Sequence, residues 1–409
     1  MQHKKLYKNI FWQYLLQGCR YLAPLIVLPF LTRILQPEGY AVYSYILCIC
    51  AMSATLIDFG INLYGTRKII SLHNNLFESA RFVSNTYLFK ILVALITIFG
   101  ILLFSQSTNL LKNHTELVLI VALTYTLKSL LPDYLFQAHE EMSNLTTRYI
   151  VCQFLVIVLI FLFVRQKEDL LLLTLIELFG ALVAFIWTLV IVKHKYGIGL
   201  VFPQIKSLHT IFKNSGMYCL SNVSSTLFSG FSTLSIGILL TDKAEIAYWS
   251  VGLTAIAAIQ SLYAPLTNSL YPHMIRIPDW KFAKRIILIP IPVVLLVMGG
   301  FIFLSDFIMT IIAGDEYRSG GVVLAWLSPV LLFSYIAMMI GWPVIGALGE
   351  VKKLTLTTIF TGTLSIFFIF LIYITDQTYL LIFCISRCLT EFSLMLTRIC
   401  LLRSIIRKY

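Results

Sequence analysis

The chain has 409 residues, of which 59% are hydrophobic and only 12% charged. A soluble domain carries roughly 25% charged residues, so too few charges remain to coat a water-facing surface, and soluble-enzyme and nucleic-acid-binding readings are excluded. The formal charge of +12 must therefore be explained inside a lipid environment.

The apolar residues come in runs of about 20, the length a helix needs to cross the hydrocarbon core. The runs are apolar all round, without the alternation of barrel strands, so the expected fold is all-α and integral to the membrane. Twelve spans are predicted, at 10–32, 39–61, 82–105, 116–137, 146–164, 170–192, 214–240, 245–269, 285–305, 321–346, 354–374 and 379–402. The basic start (Lys4, Lys5, Lys8) runs straight into the first span, so no cleavable signal peptide is expected. Between the first two spans, Pro37 and Gly39 break one helix and start the next.

Outer loops are short, the longest falling between the ninth and tenth spans. The longest connection is "KHKYGIGLVFPQIKSLHTIFK", Lys193 to Lys213. After Pro203, Ile205, Leu208 and Phe212 share one helical face and Lys206, His209 and Lys213 another. That fits either a helix lying on the membrane surface or a plain linker. It divides the chain into residues 1–192, a linker at 193–212, and residues 213–409, with six spans on each side. When Lys8-Asn9 is laid on Lys213-Asn214, Leu15 falls on Leu220, Leu35 on Leu240 and Tyr43 on Tyr248. Two related six-helix lobes around a central path are the arrangement expected of a transporter.

Most of the 31 Lys and Arg fall at the N-terminus and in every second loop, among them Arg148, Lys193, Lys195, Lys281, Lys284, Arg285, Lys352, Lys353 and Arg403. The positive-inside rule then puts both termini in the cytoplasm. The surplus charge is topogenic and faces anionic headgroups. The eight cysteines lie inside apolar runs and are read as small packing residues, with no disulfide framework or metal spacing.

Charges within spans cost about 2.5–3.5 kcal/mol each on insertion scales, so they rarely face lipid. Asp58, Asp133 and Arg398 lie near the cytoplasmic edge, where a solvated or capping role is the plainer reading. Lys90 and Glu177 lie roughly 10–12 Å deep. Arg20, Lys128, Arg387 and Glu391 are central. Arg387 and Glu391 are one turn apart and can pair, either structurally or as a latch or ion-coupling device with Asp58, Glu177 and Arg398. With that pair neutral, Arg20, Lys128 and Lys90 leave a cationic interior suited to an anionic cargo. No nucleotide-binding motif is present, and neither a cofactor nor a metal is implied. The seventh span is rich in Ser, Thr and Asn222, read as interhelical hydrogen bonding or as a polar wall for sugar hydroxyls.

Five stretches together resemble Wzx-type polysaccharide flippases of the multidrug/oligosaccharidyl-lipid/polysaccharide (MOP) exporter superfamily. They are "LPFLTRILQPEGYAVYSYI" (28–46), "LIDFGINLYGTRKI" (56–69), "LPDYLFQAHEEM" (131–142), "YAPLTNSLYPHMIR" (263–276) and "IIAGDEYRSGGVVLAWLSP" (311–329). In the third, Pro132, Gln137, Glu141 and Met142 fit the family pattern, while Tyr134 and Ala138 replace its Trp and Gly. The resemblance runs from about residue 8 to 350. It implies two six-helix lobes around a cavity, as in MATE and other MOP transporters. It implies a cargo of undecaprenyl-pyrophosphate-linked oligosaccharide, turned from the inner to the outer leaflet of the bacterial inner membrane by alternating access for O-antigen, capsule or exopolysaccharide assembly. Membrane lipids, and a polymerase and chain-length regulator of the same pathway, are the partners it suggests. Related lipid II flippases use a first-span arginine on the pyrophosphate, and Arg20 is the first-span arginine here. Lys90, Lys128, Asp133, Asn222 and Arg276 complete the expected substrate path, with Asp133 at its mouth and Glu140 and Glu141 in solvent. Two alternatives stay open. A drug:cation antiporter expects unpaired buried carboxylates. A membrane polymerase expects a large outer loop, which this chain lacks.

Overall fold

The helical run α1 (Gln2–Asp58) is 57 residues long. At about 1.5 Å per residue it measures roughly 85 Å, more than twice the hydrocarbon thickness, so it cannot be one crossing. In the computed structural model it is two helices meeting at Gln36, whose backbone (φ 55°, ψ 172°) is non-helical. Pro37 explains the position: it disfavours helical geometry in the residue before it.

The structure describes residues 2–72, 75–199, 201–240, 242–263, 266–267, 270–271, 274, 279–375 and 378–406, with the backbone alone for 2–10, 217, 221, 224, 225 and 227–229. All regular structure among these residues is helical. After α1 come α2 (Ile61–Ser71), α3 (Leu76–Ser107), α4 (Thr115–Leu130), α5 (Asp133–Ala138), α6 (Met142–Phe163), α7 (Leu170–Tyr196), α8 (Ile205–Leu239) and α9 (Lys243–Ser261). Then follow α10 (Trp280–Leu288), α11 (Ile291–Phe303), α12 (Ser305–Ala313), α13 (Gly321–Leu327), α14 (Pro329–Ile340), α15 (Val351–Thr375) and α16 (Leu380–Ile406). Among the described residues, nine helical stretches are long and apolar enough to cross a bilayer. The first of these, Phe11–Ser71, has 61 residues, enough for more than one crossing. The serine-rich α8 and the short α9 are helical but not among the nine.

The chain forms two compact units, each built from separated stretches: Met1–Val27 with Ile46–Thr226, and Leu28–Tyr45 with Leu227–Tyr409. In the first unit α3 packs on α4, α4 and α6 pack on α7, and α2 packs on α5. Tyr134 is buried among them and its hydroxyl shares a 2.9 Å hydrogen bond with Thr86. Its ring lies so close to Gly65 that a Cβ there would come within 2.9 Å of it.

The connection after α7 is strapped to α3: the Val201 N–H donates to Ser84 Oγ (2.9 Å) and the Gln204 N–H to Asn85 Oδ1 (2.7 Å). Of the residues read as a surface helix or linker, 193–196 end α7 and 205–212 are the first turns of the unbroken 35-residue α8. Ile211 and Leu208 turn inward, while Ile205 and Phe212 are exposed. The face that packs is therefore offset from the one the spacing marked.

In the second unit α13, α14 and α15 pack on α16. The fully buried Trp249 donates from Nε1 to Thr233 Oγ1 (3.0 Å), and the Tyr335 hydroxyl donates to the Ile287 carbonyl (3.0 Å). The expected loop between the ninth and tenth spans is instead a helix, α12, closed by a tight turn at Asp315–Gly320. After α14 the backbone widens to π geometry over Gly341–Gly346, a feature often found at functional sites.

Candidate functional site

Of the cations within the first unit's spans, two are exposed, Arg20 on α1 and Lys128 on α4. Each lies over an aromatic face: Arg20 over Tyr149 at 5.5 Å, and Lys128 over Tyr125 at 5.0 Å. The Lys128–Tyr125 contact spans three residues of one helix, the spacing at which helical side chains meet. Among the described residues neither cation has an ion-pair partner. A ring face holds a cation by its quadrupole, worth about 0.5–2 kcal/mol, and leaves the formal charge and the N–H donors available. A carboxylate would neutralise both. Each of the two cations can therefore receive an anion.

Two further ion pairs of this unit are satisfied internally. Lys90 is only 2% exposed, donating to Asp58 Oδ1 at 2.9 Å and to the Ser129 carbonyl at 2.7 Å. Asp58 also accepts from Asn62 Nδ2 at 2.8 Å. This joins α1, α2, α3 and the end of α4 at one point. Asp133 accepts from Arg148 Nη2 at 2.8 Å, and Arg148 Nη1 donates to Thr188 Oγ1 at 2.9 Å while its guanidinium lies 5.8 Å from the Phe136 ring. Arg148 is buried. Its charge was counted among the topogenic ones, yet it lies two residues inside the predicted fifth span, which was the available signal.

Glu141 is not in solvent as expected. It accepts from Lys195 Nζ (2.7 Å), the Tyr196 hydroxyl (2.5 Å) and Asn144 Nδ2 (2.8 Å). His139 stacks on Tyr196 at 4.4 Å. Burial raises the Glu141 carboxyl, but the hydrogen bonds from Lys195 and Tyr196 and the charge of Lys195 outweigh it and hold the group below its ordinary value. The turn after α5 is thus pinned to the end of α7, and only Glu140 of the two acids is exposed.

In the second unit, Arg387 Nη2 donates to Glu391 Oε1 at 2.8 Å across one turn of α16. Both residues are buried. Arg398 lies near the edge by count, yet it too is buried, so a solvated role does not apply. Its Nη1 donates to the Ala337 carbonyl (2.7 Å), at the end of α14 just before the π segment, and its Nη2 to Thr358 Oγ1 (3.2 Å). This ties three helices together. Glu391 and Arg398 line a cavity of about 560 Å³ with Gln260, Ser334, Thr358 and Trp342.

Asn222 lies on α8, where its carbonyl accepts from Thr226. The described hydroxyls further along α8 are used in packing: Thr233 accepts from Trp249, and Ser235 donates to the Phe231 carbonyl. Arg276 lies outside the described residues.

The chain matches the model of a family described as "Polysaccharide biosynthesis protein" over residues 6–278. It is 26% identical over 375 residues to a protein of Escherichia coli (strain K12) named as an O-antigen transporter, covering 89% of each. A protein of the same name from Shigella dysenteriae is 24% identical over 320 residues, covering 77% of this chain and 79% of that one. Among solved structures, the chain is similar to the lipid II flippase MurJ in an inward closed conformation, with TM-score 0.77 and 14% identity over 97% of this chain and 87% of that one. It is also similar to an inward-facing multidrug resistance MATE family transporter of the MOP superfamily, with TM-score 0.67 and 15% identity over 94% and 92%. At these identities the structural likeness is one of fold. The family match spans most of the chain, and four of the five stretches that resemble Wzx-type flippases lie wholly within it. The chain belongs to the polysaccharide biosynthesis protein family, as a multi-pass membrane protein.

Proposed function

We propose that this protein turns an undecaprenyl-pyrophosphate-linked oligosaccharide repeat unit from the inner to the outer leaflet of the bacterial inner membrane by alternating access. The observation that carries the reading is the pair of exposed cations, Arg20 and Lys128, held on tyrosine faces without a carboxylate. A drug-cation carrier would need the opposite sign there. The planar fork of Arg20 suits two phosphate oxygens at once, and Lys128 supplies a second point charge. Tyr125, Tyr149 and Asn222 offer hydroxyl and amide groups to sugars. In this reading twelve crossings form the two lobes, with both termini cytoplasmic. Lys90–Asp58 and Arg148–Asp133 hold the first lobe rigid around the cations, Glu177 tunes their field, and the Arg387–Glu391–Arg398 group serves as a latch or coupling site.

The test is deletion in the host, scored for surface polysaccharide and for the leaflet that holds single lipid-linked repeat units. Units stranded on the cytoplasmic face, restored by wild type but not by Arg20→Ala or Lys128→Ala at equal protein level, are the expected result. Full surface polymer from both variants would refute the cation assignment, and single units reaching the outer face without the protein would refute flipping.

A further inference from the structure

A second feature of the molecule, in the C-terminal unit and distinct from Arg20 and Lys128, is built for a different ligand. The nine-residue helix α10 begins at Asp279, whose carboxylate accepts the N–H groups of Lys281 and Phe282 at 2.8 and 3.1 Å. It buries Ala283 and Ile287 and exposes Lys281, Lys284 and Arg285. It stops at Ile289-Pro290, and α11 follows with exposed Val293, Leu296 and Phe303 on its outer face. A short basic amphipathic helix, opened by a Trp and leading into an apolar one, marks the headgroup level of a bilayer. The exposed apolar face of α11 is then lipid-facing.

Beside α10 lies a groove of about 650 Å³ between α10, α14 and α16, within the size range of small-molecule sites. Its walls are aliphatic, with Ile287, Ile340 and Leu402 among them, and its polar lining comes from Trp280, Lys284 and Arg403. Lys284 lies in α10 and Arg403 in the last turn of α16, so two separate helices supply the cations. Among the described residues neither has a carboxylate within ion-pair distance. A groove that is aliphatic along its length and carries a cation from each of two helices matches a molecule with a chain and an anionic head.

We propose that this groove holds an anionic phospholipid of the surrounding bilayer, with an acyl chain along the aliphatic walls and the phosphate between Lys284 and Arg403. Continuity with the lipid-facing side of α11 favours a bilayer lipid as the occupant. Bound there, the lipid bridges α10 to α16.

Native mass spectrometry of the full-length protein, titrated with phosphatidylglycerol or with phosphatidylcholine of the same chains, tests this. Each basic residue near an anionic lipid surface contributes about 1 kcal/mol, so Lys284→Ala with Arg403→Ala should weaken phosphatidylglycerol binding roughly thirtyfold. The double variant Lys281→Ala with Arg285→Ala removes the same charge from α10 outside the groove and should leave binding within about threefold of wild type. Ile399→Trp fills the groove with both cations intact and should also lose the lipid. Equal loss in the two double variants would mean diffuse surface charge and overturn the site. Equal binding of phosphatidylcholine, whose phosphate is neutralised by its own choline cation, would overturn the selection of a net-anionic head, and retention by Ile399→Trp the chain placement. Displacement of phosphatidylglycerol by undecaprenyl phosphate at lower concentration than by phosphatidylglycerol itself would give the groove to the cargo's tail instead.

Discussion

Replacing Arg148 with methionine keeps most of the side chain's length and removes its charge. Three contacts go: the 2.8 Å pair with Asp133, the 2.9 Å donation to Thr188, and the guanidinium lying over Phe136. The Thr188 hydroxyl still donates to the Ala184 carbonyl at 2.7 Å, so it is not orphaned. Asp133 is the problem. Its side chain is 19% exposed, and without the arginine it is a mostly buried, uncompensated charge. Breaking a buried pair from one side costs about 3–5 kcal/mol. The residual solvent contact of Asp133 puts the expected loss at the low end, about 3 kcal/mol. The assay is the apparent melting temperature of the purified protein in detergent, read with Asp133→Asn and the double variant in a cycle. Arg148→Met should lower it by several degrees, and adding Asp133→Asn should recover part of the loss, because the stranded charge has gone. If Arg148→Met melts with wild type, or the double variant is no better than the single one, the pair does not hold this part of the fold.

Other outcomes follow from the same geometry. Glu141 has a folded pKa below its ordinary value of 4.5, so its stabilisation is complete above that value and disappears as pH falls through the lower folded one; Glu141→Gln should flatten the dependence of melting temperature on pH in the window just below 4.5. Gln36, at φ 55° and ψ 172°, occupies backbone space nearly reserved for glycine, and Gln36→Gly should raise stability by about 1 kcal/mol in a denaturation series. Gly65→Ala would place a Cβ 2.9 Å from the Tyr134 ring atoms and should lower the melting temperature by an amount that Tyr134→Leu partly restores. Lys128→Arg should retain flipping in the leaflet assay, whereas Lys128→Met should lose at least tenfold, because the charge is what the ring presents.

The sequence could be read wherever local spacing decides the outcome. Arg387 and Glu391, four apart on an apolar helix, had each other within reach, and they pair. Pro37 marked the break in α1 to within one residue. Lys128 and Tyr125 were equally legible at three apart, since that spacing sets a ring beside the charge. Contacts between distant parts of the chain were not legible. Nothing local relates Lys90 to Asp58 or Arg148 to Asp133, since each pair is made by helices meeting in space. Lys90 therefore read as a path cation and Arg148 as a topogenic one. The fate of Arg398 was hidden for a further reason: its partner is a backbone carbonyl beside a π segment, and such a widening of the helix leaves little trace in hydropathy. Glu141 was misplaced because its turn folds back onto Lys195 and Tyr196, which lie a whole helical hairpin later.

The pairing of the buried charges bears on how the protein would respond to voltage. A membrane potential does work only on net charge displaced through the field, about 2.3 kcal/mol per elementary charge per 100 mV. Lys90 with Asp58, and Arg148 with Asp133, move as neutral couples if their helices shift together, and the field passes over them. Arg20 and Lys128 rest on rings that leave their charge intact, so the field acts on them. Any displacement of the helices that carry them is therefore coupled to the membrane potential in proportion to the depth they travel, and an anion bound to either would offset that coupling for the part of the cycle in which it is bound.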